Sequence, residues 1–487
     1  MKGKISQFLS RFSLYDTTGL AKETRKNLRL VILGAVIGNV SFTITGGTAL
    51  TGYIKALGAS DFVYSVLLAM PYVAKFMQLV TSYILERTRK RRELMLVFGL
   101  ISRLSWIPVA LVPYFVPAGQ EVLRIWVILV LVLLLSCMGG FIDSSFNSLL
   151  PDIVPMRIRG RYFAARQRMM MVTGILAGLL ISLLLDAFTA DGSLTGYTIV
   201  FVLAGIFGAG DIICFFWVTF PPMAPRPEGE KRESFPSMFR GVLTNRSYMK
   251  VIALWTAWAF AVNICGPFYN VHMLGPMGMS YTEINILSGI VCNLATLLFA
   301  GYWGKLMDRY GNKAVIRVFT LLGTFVPALW LFTNSQAIWM VAVAQFLAGM
   351  LLPAADLAMQ NIYLYQAPEK NRSMYYAVYF CVTQMVGVAL AYSVGGWLVD
   401  NVFLGLSEQL HLSVFGFEIN QYQFIFQLSV VLRLVVSVFL LRMLPEDEAD
   451  CHPMAMVCGV LGGLRWPSWP HRPGGPHQPQ PRHWIHK

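Results

Sequence analysis

The sequence predicts an all-α integral membrane protein with twelve transmembrane helices in two pseudo-symmetric six-helix halves. Three observations predict this fold: the composition, the number of long apolar segments, and a repeat that relates the two halves of the chain. Of the 487 residues, 56% are hydrophobic and 13% are charged, and the mean hydropathy is +0.57. Soluble domains carry about twice that share of charged residues, so the composition argues against a water-soluble fold.

Twelve segments are long and apolar enough to cross a bilayer. A transmembrane helix needs about 20 mostly apolar residues, and the strict apolar-polar alternation of a transmembrane β-barrel is not seen. Helices are therefore the spanning elements that the sequence favours. The predicted helices 1 to 12 cover residues 29–56, 62–85, 94–116, 124–150, 166–188, 196–220, 249–274, 282–306, 314–333, 337–363, 373–400 and 421–444.

Polar segments flank and separate the two predicted halves, which occupy residues 29–220 and 249–444. An N-terminal arm (1–28) is polar and basic, and the apolar run after it is too long for a signal-peptide core. A polar linker (221–248) joins the halves. The tail (445–487) holds five of the seven histidines and many prolines. Because this composition cannot pack a core, we interpret the tail as disordered and non-native.

The charge distribution predicts the orientation in the membrane. The net charge is +14, and Lys and Arg concentrate in the N-terminal arm, the linker and the loops after helices 2, 4, 8 and 10. The loops of the other side carry only Lys55 and Arg124. By the positive-inside rule, we expect both termini in the cytoplasm and the protein in the cytoplasmic membrane. Nucleic-acid binding, which needs a solvated basic patch with stacking aromatics, is not indicated.

The second half of the chain repeats the first in the same orientation. The segment DIVPMRIRGRYFAA (152–165) aligns with YQAPEKNRSMYYAV (365–378) at an offset of 213. A parallel repeat of this kind allows a site between the halves to be exposed to either side by rocking. Further pairs at similar offsets are Asp143 with Asp356, Asn147 with Gln360, Glu86 with Asp308, and Gly46-Gly47 with Gly266-Pro267.

The loop GKLMDRYGNK (304–313) resembles the signature loop of the major facilitator superfamily, Gly-x-Leu-x-Asp-Arg-x-Gly-x-Lys. The first-half copy, SYILERTRKR (82–91), keeps the acid as Glu86 and the arginine as Arg87. DIVPMRIRG (152–160) resembles the turn after helix 4 in the sugar-porter branch, but Tyr365 replaces its acid in the second half, so this resemblance is partial. The resemblance implies a membrane transporter that has no cofactor and no metal.

This loop predicts a gate on the cytoplasmic side. Gly304 would let a neighbouring helix approach closely, and Gly311 would permit a tight helix stop. The resemblance implies that Asp308 faces the positive N-terminus of helix 5 and that Glu86 faces the start of helix 11, forming a latch between the halves. The alternative is that the charges only hold the loops in the cytoplasm. The candidate gate residues are Glu86, Arg87, Asp152, Arg159, Gly304, Asp308, Arg309, Gly311 and Arg372.

Polar side chains in helices 1, 4, 7 and 10 predict a substrate site, and the resemblance implies that these helices line a central cavity. Buried polar groups in a bilayer must face one another or water. A carboxylate in low dielectric takes up a proton more readily, although helix-end anchoring is the alternative role for the aspartates. The candidate substrate-binding residues are Asn39, Thr43, Asp143, Asn147, Trp258, Asn263, Tyr269, Asn270, Asp356 and Gln360.

Other charges within the predicted helices are expected to pair. Arg103 of helix 3 and Asp211 of helix 6 form a plausible structural pair. Lys75 of helix 2 is within reach of Asp143, and this contact would keep Asp143 ionised and make it a poor proton carrier.

Three classes of function are weighed. The first is a monomeric secondary transporter that moves a small polar organic solute, such as a sugar, by rocker-switch alternating access, with H+ or Na+ as coupling ion. The second is a drug-efflux antiporter of the same fold, but the glycine-proline signature of that group is absent from helix 5, where RQRMMMVTGILAGLLISLLL (166–185) has no proline. The third is an intramembrane enzyme or receptor, against which the absence of His-Glu-x-x-His and Gly-x-Ser-x-Gly motifs counts.

Overall fold

The computed structural model describes residues 20–117, 119–189, 193–221, 235–368, 372–414 and 417–443, without the side chains of residues 82, 86, 235–238, 372, 373, 414, 417, 418 and 440–442. Within these residues it contains twelve membrane-spanning helices, so the predicted fold class is confirmed. In chain order α1 to α12 are Lys22–Ala56, Asp61–Leu85, Arg91–Phe115, Glu121–Ile153, Met156–Thr189, Thr195–Trp217, Arg246–Leu274, Tyr281–Tyr310, Asn312–Phe332, Trp339–Gln366, Met374–Leu410 and Gln421–Phe439.

Several helices extend beyond the predicted limits. α1 begins at Lys22 rather than at residue 29, and α5 begins at Met156 rather than at residue 166. The apolar pattern marks only the part of a helix in the hydrocarbon layer, so polar turns that project beyond that layer escape it. A short linker helix (Phe235–Thr244) precedes α7, and a two-stranded ribbon of β1 (Ser413–Val414) and β2 (Phe417–Glu418) lies between α11 and α12. Most of the predicted N-terminal arm and the tail from residue 444 lie outside the described residues.

α1 and α7 are interrupted at equivalent positions. The first part of α1 ends at Thr45 and the second begins at Thr48. The first part of α7 ends at Asn263 and the second begins at Phe268. The Gly46-Gly47 and Gly266-Pro267 pairs, which the repeat aligned, therefore interrupt both helices. Proline and glycine break helices because proline lacks an N–H and glycine tolerates irregular backbone.

The two ends of the bundle pack differently. We call the end with residues 86–92, 152–160 and 304–313 the basic end, and the other the opposite end. One buried cluster contains residues of both halves, among them Tyr53, Phe201, Phe268 and Tyr422. Two further clusters belong to one half each, around Tyr162 in the N-terminal half and around Trp303 in the C-terminal half. The shared core therefore joins the halves towards the opposite end.

Two arginines within the spans find partners inside their own half. The predicted pair of Arg103 with Asp211 is confirmed, with Nη2 and Oδ2 3.5 Å apart. Arg433 of α12 is 2% exposed and donates to the carbonyl oxygens of Gly323 at 3.0 Å and Val262 at 3.3 Å. Such bonds offset the cost of burying charge and hold together helices of the same half.

Candidate functional site

Two aspartates clamp the halves together at the opposite end. Asp400, near the end of α11, accepts hydrogen bonds from the backbone N–H groups of Asp61 at 3.1 Å and Phe62 at 2.8 Å. Asp186, near the end of α5, accepts from the N–H groups of Tyr281 at 2.7 Å and Thr282 at 2.9 Å. The first turn of a helix has unpaired N–H groups and a positive dipole end, so each carboxylate caps a helix of the other half.

The two clamps are equivalent under the internal repeat. Asp186 and Asp400 differ by 214 positions, and the capped residues Asp61 and Tyr281 differ by 220. α5 therefore caps α8 as α11 caps α2. Sequence reasoning missed both aspartates, because the offset of 213 that relates Asp143 to Asp356 falls one residue short of pairing them.

Side chains reinforce the closure around these clamps. Tyr422 of α12 donates to Asp61 Oδ2 at 3.0 Å, and Lys55 Nζ lies 2.6 Å from Asp61 Oδ1. The hydroxyl groups of Tyr197 and Tyr281 are hydrogen-bonded to each other across the halves. A side chain at Gly396 of α11 would collide with Ser65 of α2, so the helices touch here because glycine leaves room. The opposite end is closed.

A cavity of about 250 Å³ lies between the halves beneath this closure. It is lined by α1 and α5 of the N-terminal half and by α7 and α8 of the C-terminal half. None of its lining residues is charged. The polar side chains that line it are Thr43, Thr48, Ser182, Asn270, Asn285 and Ser288.

Two predicted substrate-binding residues, Thr43 and Asn270, line this cavity. Asn39 lies one turn from Thr43 and donates through Nδ2 to the carbonyl oxygen of Met170 on α5 at 2.7 Å. Asn263 donates through Nδ2 to the carbonyl oxygen of Ala259 at 2.7 Å, beside the break in α7. The predicted residues of α1 and α7 thus lie near the breaks in these two helices, and Thr43 and Asn270 line the cavity itself.

Asn285 is a cavity residue that sequence reasoning missed. It lies in a π-helical turn, Asn285–Ile290 of α8, and its Oδ1 is buried and accepts no hydrogen bond from the described residues. Its Nδ2 lies where a side chain at Gly178 of α5 would have to go. π-helical turns are often found at functional sites. A π-helical turn adds one residue to a turn of the helix but requires no particular residue type, so the sequence alone does not reveal it.

Two predicted aromatic residues lie in the core of the C-terminal half. Trp258 is 3% exposed and packs near Trp255. Tyr269 stacks on Phe426 with ring centroids 4.7 Å apart and packs against Trp330 at 4.6 Å. In this conformation both rings pack against other side chains, because aromatic residues in a helical bundle also fill the gaps between helices; their contact with a solute stays a prediction.

The aspartate pairs of α4 and α10 occupy different environments. Asp143 Oδ2 accepts from Lys75 Nζ and from Gln78 Nε2, both at 2.7 Å, which confirms the predicted contact with Lys75. Asp356 is exposed, and no ion pair or hydrogen bond reaches it from the described part of the chain. The neighbouring amides of Asn147 and Gln360 are also exposed. These groups lie nearer the basic end than the cavity does.

The predicted gate at the basic end is not formed. Asp308 is exposed and has no partner among the described residues. Arg159 instead donates to the carbonyl oxygens of Pro151 at 3.1 Å and Val154 at 3.4 Å, which lie at the end of α4. Asp152 pairs with Arg91 at 2.7 Å within the N-terminal half.

The other gate residues have mixed outcomes. Gly311 has φ +83° and ψ 159°, a conformation open essentially only to glycine, so the prediction of a special helix stop is confirmed. The prediction that Gly304 admits a close helix is wrong for this conformation, because a side chain there would meet nothing within 4 Å. Arg87 and Arg309 are exposed, and the side chains of Glu86 and Arg372 lie outside the described part.

Comparison with known proteins gives consistent matches. A sequence model of the Major Facilitator Superfamily matches residues 31–274 and 259–453. The chain is 25% identical over 362 residues to the multidrug resistance protein MdtG of Proteus mirabilis, which covers 70% of this chain and 81% of that protein. It is 23% identical over 320 residues to the multi-drug resistance efflux pump PmrA of Streptococcus pneumoniae, covering 63% of this chain and 72% of the pump.

Solved structures show the same fold. The nucleoside transporter NupG superposes with a TM-score of 0.63 at 14% identity, covering 88% of this chain and all of NupG. A D-xylose-proton symporter superposes with a TM-score of 0.61 at 13% identity, covering 88% of this chain and 100% of the symporter. A bacterial homologue of the lysosomal transporter Spinster, in an inward-facing and unoccupied conformation, gives 0.63 at 16% identity, with 93% and 100% covered.

Proposed function

The chain belongs to the Major Facilitator Superfamily, and from that premise we propose that it moves a small polar organic solute by alternating access. The observation that carries the proposal is the closure of one end only. The Asp186 and Asp400 clamps seal the opposite end, while Asp308 at the basic end has no partner among the described residues. Rocking of the halves about the cavity would reverse this arrangement.

The orientation belongs to the same proposal. The basic end faces the cytoplasm because positively charged loops stay on that side. The structure then corresponds to an inward-open state, and the predicted latch forms only in the outward-open state. In that state Asp308 approaches the start of α5 near Arg159, and the carboxylate meets the helix dipole there.

The cavity chemistry favours a polar solute. Its amides and hydroxyls, such as Asn270, Asn285 and Ser288, both donate and accept hydrogen bonds, and the buried Asn285 Oδ1 accepts none in the described structure. A solute with hydroxyl or amine groups would satisfy it, because an unsatisfied buried acceptor costs about 1–3 kcal/mol. A sugar is one such solute, and a gradient of H+ or Na+ would drive its movement.

A second candidate function is export of organic compounds. Its support is the similarity of the chain to the multidrug resistance protein MdtG and the multi-drug resistance efflux pump PmrA. The two candidates share the fold and the cavity and differ in direction and in the solute. The absence of proline from α5, residues 166–185, counts against export.

The test is transport by the purified protein in liposomes, with sugars, nucleosides, amines and known drugs in both directions. Asn285→Ala and Asn270→Ala are expected to reduce transport of the accepted solute at least about tenfold, since each removes a hydrogen bond worth roughly 1–2 kcal/mol. Gln120→Ala, an exposed amide before α4, is the matched control. If no solute crosses, or if both cavity variants transport like the wild type, the proposal is wrong.

A further inference from the structure

We propose that Asp356 is the anionic recognition group for an organic cation, an amine or quaternary ammonium solute, in the open space at the basic end. This inference rests on the proposed transport function and narrows its substrate class. It starts from a difference between two positions that the internal repeat makes equivalent.

The equivalent aspartate of the N-terminal half already has a cation. Asp143 of α4 accepts from Lys75 Nζ at 2.7 Å and from Gln78 Nε2 at 2.7 Å, both on α2. Its charge is therefore neutralised by the protein. In the described part of the chain Asp356 has no such partner, although α8 packs on α10 as α2 packs on α4.

The residues that would supply a partner are replaced on α8. The pairs that the repeat aligns towards the two ends of these helices, Asp61 with Tyr281 and Glu86 with Asp308, have offsets of 220 and 222, so we take an offset of 221 for the residues between them. This offset puts Thr296 opposite Lys75. The Thr296 hydroxyl donates to the carbonyl oxygens of Cys292 and Gly349, each at 3.0 Å, and so stays with the backbone.

The same offset puts Phe299 opposite Gln78. Phe299 packs on Phe346 of α10, with ring centroids 6.1 Å apart. The counterparts of both groups that hold Asp143 are thus uncharged in the C-terminal half, so none of the described side chains supplies a counter-charge for Asp356.

The surroundings of Asp356 suit a cation. Asp356 is exposed to solvent, and a charged side chain within a span is expected to face an internal, water-filled space rather than the lipid. Tyr363 lies about two helical turns after Asp356 on α10 and so on the same side of the helix, and its ring stacks on Tyr379 of α11 with the ring centroids 4.0 Å apart. Aromatic rings on this side of α10 lower the local dielectric, which strengthens ion pairing.

The chemistry selects an organic cation over a metal ion. Divalent ions such as Ca²⁺ take 6–8 oxygen ligands, and the described residues contain no group of three metal-ligating side chains. Aromatic rings beside a carboxylate favour the weakly hydrated charge of an alkylammonium group. We expect the polar remainder of the solute to bind in the uncharged cavity around Asn285 and Asn270, which lies closer to the opposite end.

The experiment measures equilibrium binding of matched probes by the purified full-length protein. The cationic probes are choline, tetraethylammonium and tetraphenylphosphonium; the neutral probes are 3,3-dimethylbutan-1-ol, the uncharged isostere of choline, and a panel of hexoses. At least one cation is expected to bind the wild type and Asp356→Glu. Asp356→Asn is expected to lose affinity at least about tenfold, as for a lost charge-assisted contact. Choline is expected to bind better than its isostere.

Controls separate this inference from the proposed function. Glu408→Gln removes an equal charge from an exposed position of α11 and should bind the cations like the wild type. If Asp356→Asn does not fold, as judged by gel filtration, the comparison of choline with its isostere on the wild type decides. Equal binding by Asp356→Asn, or binding of neutral probes alone, overturns the cation site. Transport of a neutral solute in liposomes would then still support the proposed transport function. If no solute is transported, both the transport function and the cation site are contradicted.

Discussion

Gly304 and Gly311 belong to one loop motif, yet the structure gives them different roles. Gly311 adopts a backbone conformation closed to other residues, whereas Gly304 has open space around its Cα. The first role can be predicted from the sequence, because a helix must stop between two adjacent spans. The role of Gly304 could not be predicted, because the approach of a neighbouring helix depends on which conformation the halves adopt.

These two glycines make a matched test. Gly311→Ala is expected to destabilise the protein by about 1–3 kcal/mol, because alanine would be strained at φ +83°. Gly304→Ala is expected to leave stability unchanged or slightly raised, because alanine is the better helix former. Thermal unfolding in detergent measures both. Equal effects of the two substitutions would show that the backbone at residue 311 is not the constraint we describe.

Asp308 is predicted to act in the conformation that is not seen here. Asp308→Asn should leave the stability of this conformation unchanged, since no described group pairs with the carboxylate. It should weaken the latch of the other conformation and so favour opening at the basic end, with a shift on the order of 1 kcal/mol.

The check for this effect is the labelling rate of single cysteines placed on the basic-end halves of α5 and α8. Asp308→Asn should accelerate labelling, and Glu408→Gln should not. Unchanged rates in Asp308→Asn would restrict Asp308 to holding its loop at the membrane surface.

At the scale of elements, the two clamps join helix ends that the repeat makes equivalent. Asp186→Asn and Asp400→Asn are each expected to weaken closure of the opposite end by on the order of 1–2 kcal/mol, because an amide offers one acceptor and no charge to two N–H groups. Each replacement would then increase the open fraction at that end about tenfold.

The double variant refines this prediction. Since the clamps cap different helices, the effects of Asp186→Asn and Asp400→Asn should add. Labelling of single cysteines at the opposite end measures the open fraction. If one clamp does not stabilise closure of the opposite end, single cysteines in its variant will be labelled at the wild-type rate, and the prediction for that clamp is contradicted.

Sequence reasoning worked for the helices and for two charge pairs within one half, Arg103 with Asp211 and Lys75 with Asp143, but it failed for the contacts between the halves. The breaks in α1 and α7 follow from glycine and proline at Gly46-Gly47 and Gly266-Pro267, residues whose backbone effect is local. The π-helical turn at Asn285 and the caps supplied by Asp186 and Asp400 depend on the neighbouring half. No periodicity encodes such contacts, and only the repeat offset relates the two aspartates.

At the scale of the whole molecule, composition and apolar length determine that the chain forms a helical bundle in a membrane. The repeat adds that the bundle has two like-oriented halves. Neither determines which end closes, because closure depends on free-energy differences of a few kcal/mol between conformations with almost the same internal packing. In the structure the opposite end is the closed one, because the shared core around Tyr53 and Phe268 and the two clamps join the halves there.

The most direct test of the central claim, that the halves rock about a cavity, is a pair of distances measured on one protein. Spin labels on cysteines replacing Glu121 and Glu408 would report on the opposite end, and labels replacing Arg157 and Lys305 would report on the basic end; all four positions are exposed. When a transported solute or gradient changes the conformation, we predict that the first distance lengthens as the second shortens. Two distances that stay constant, or that lengthen together, would contradict alternating access.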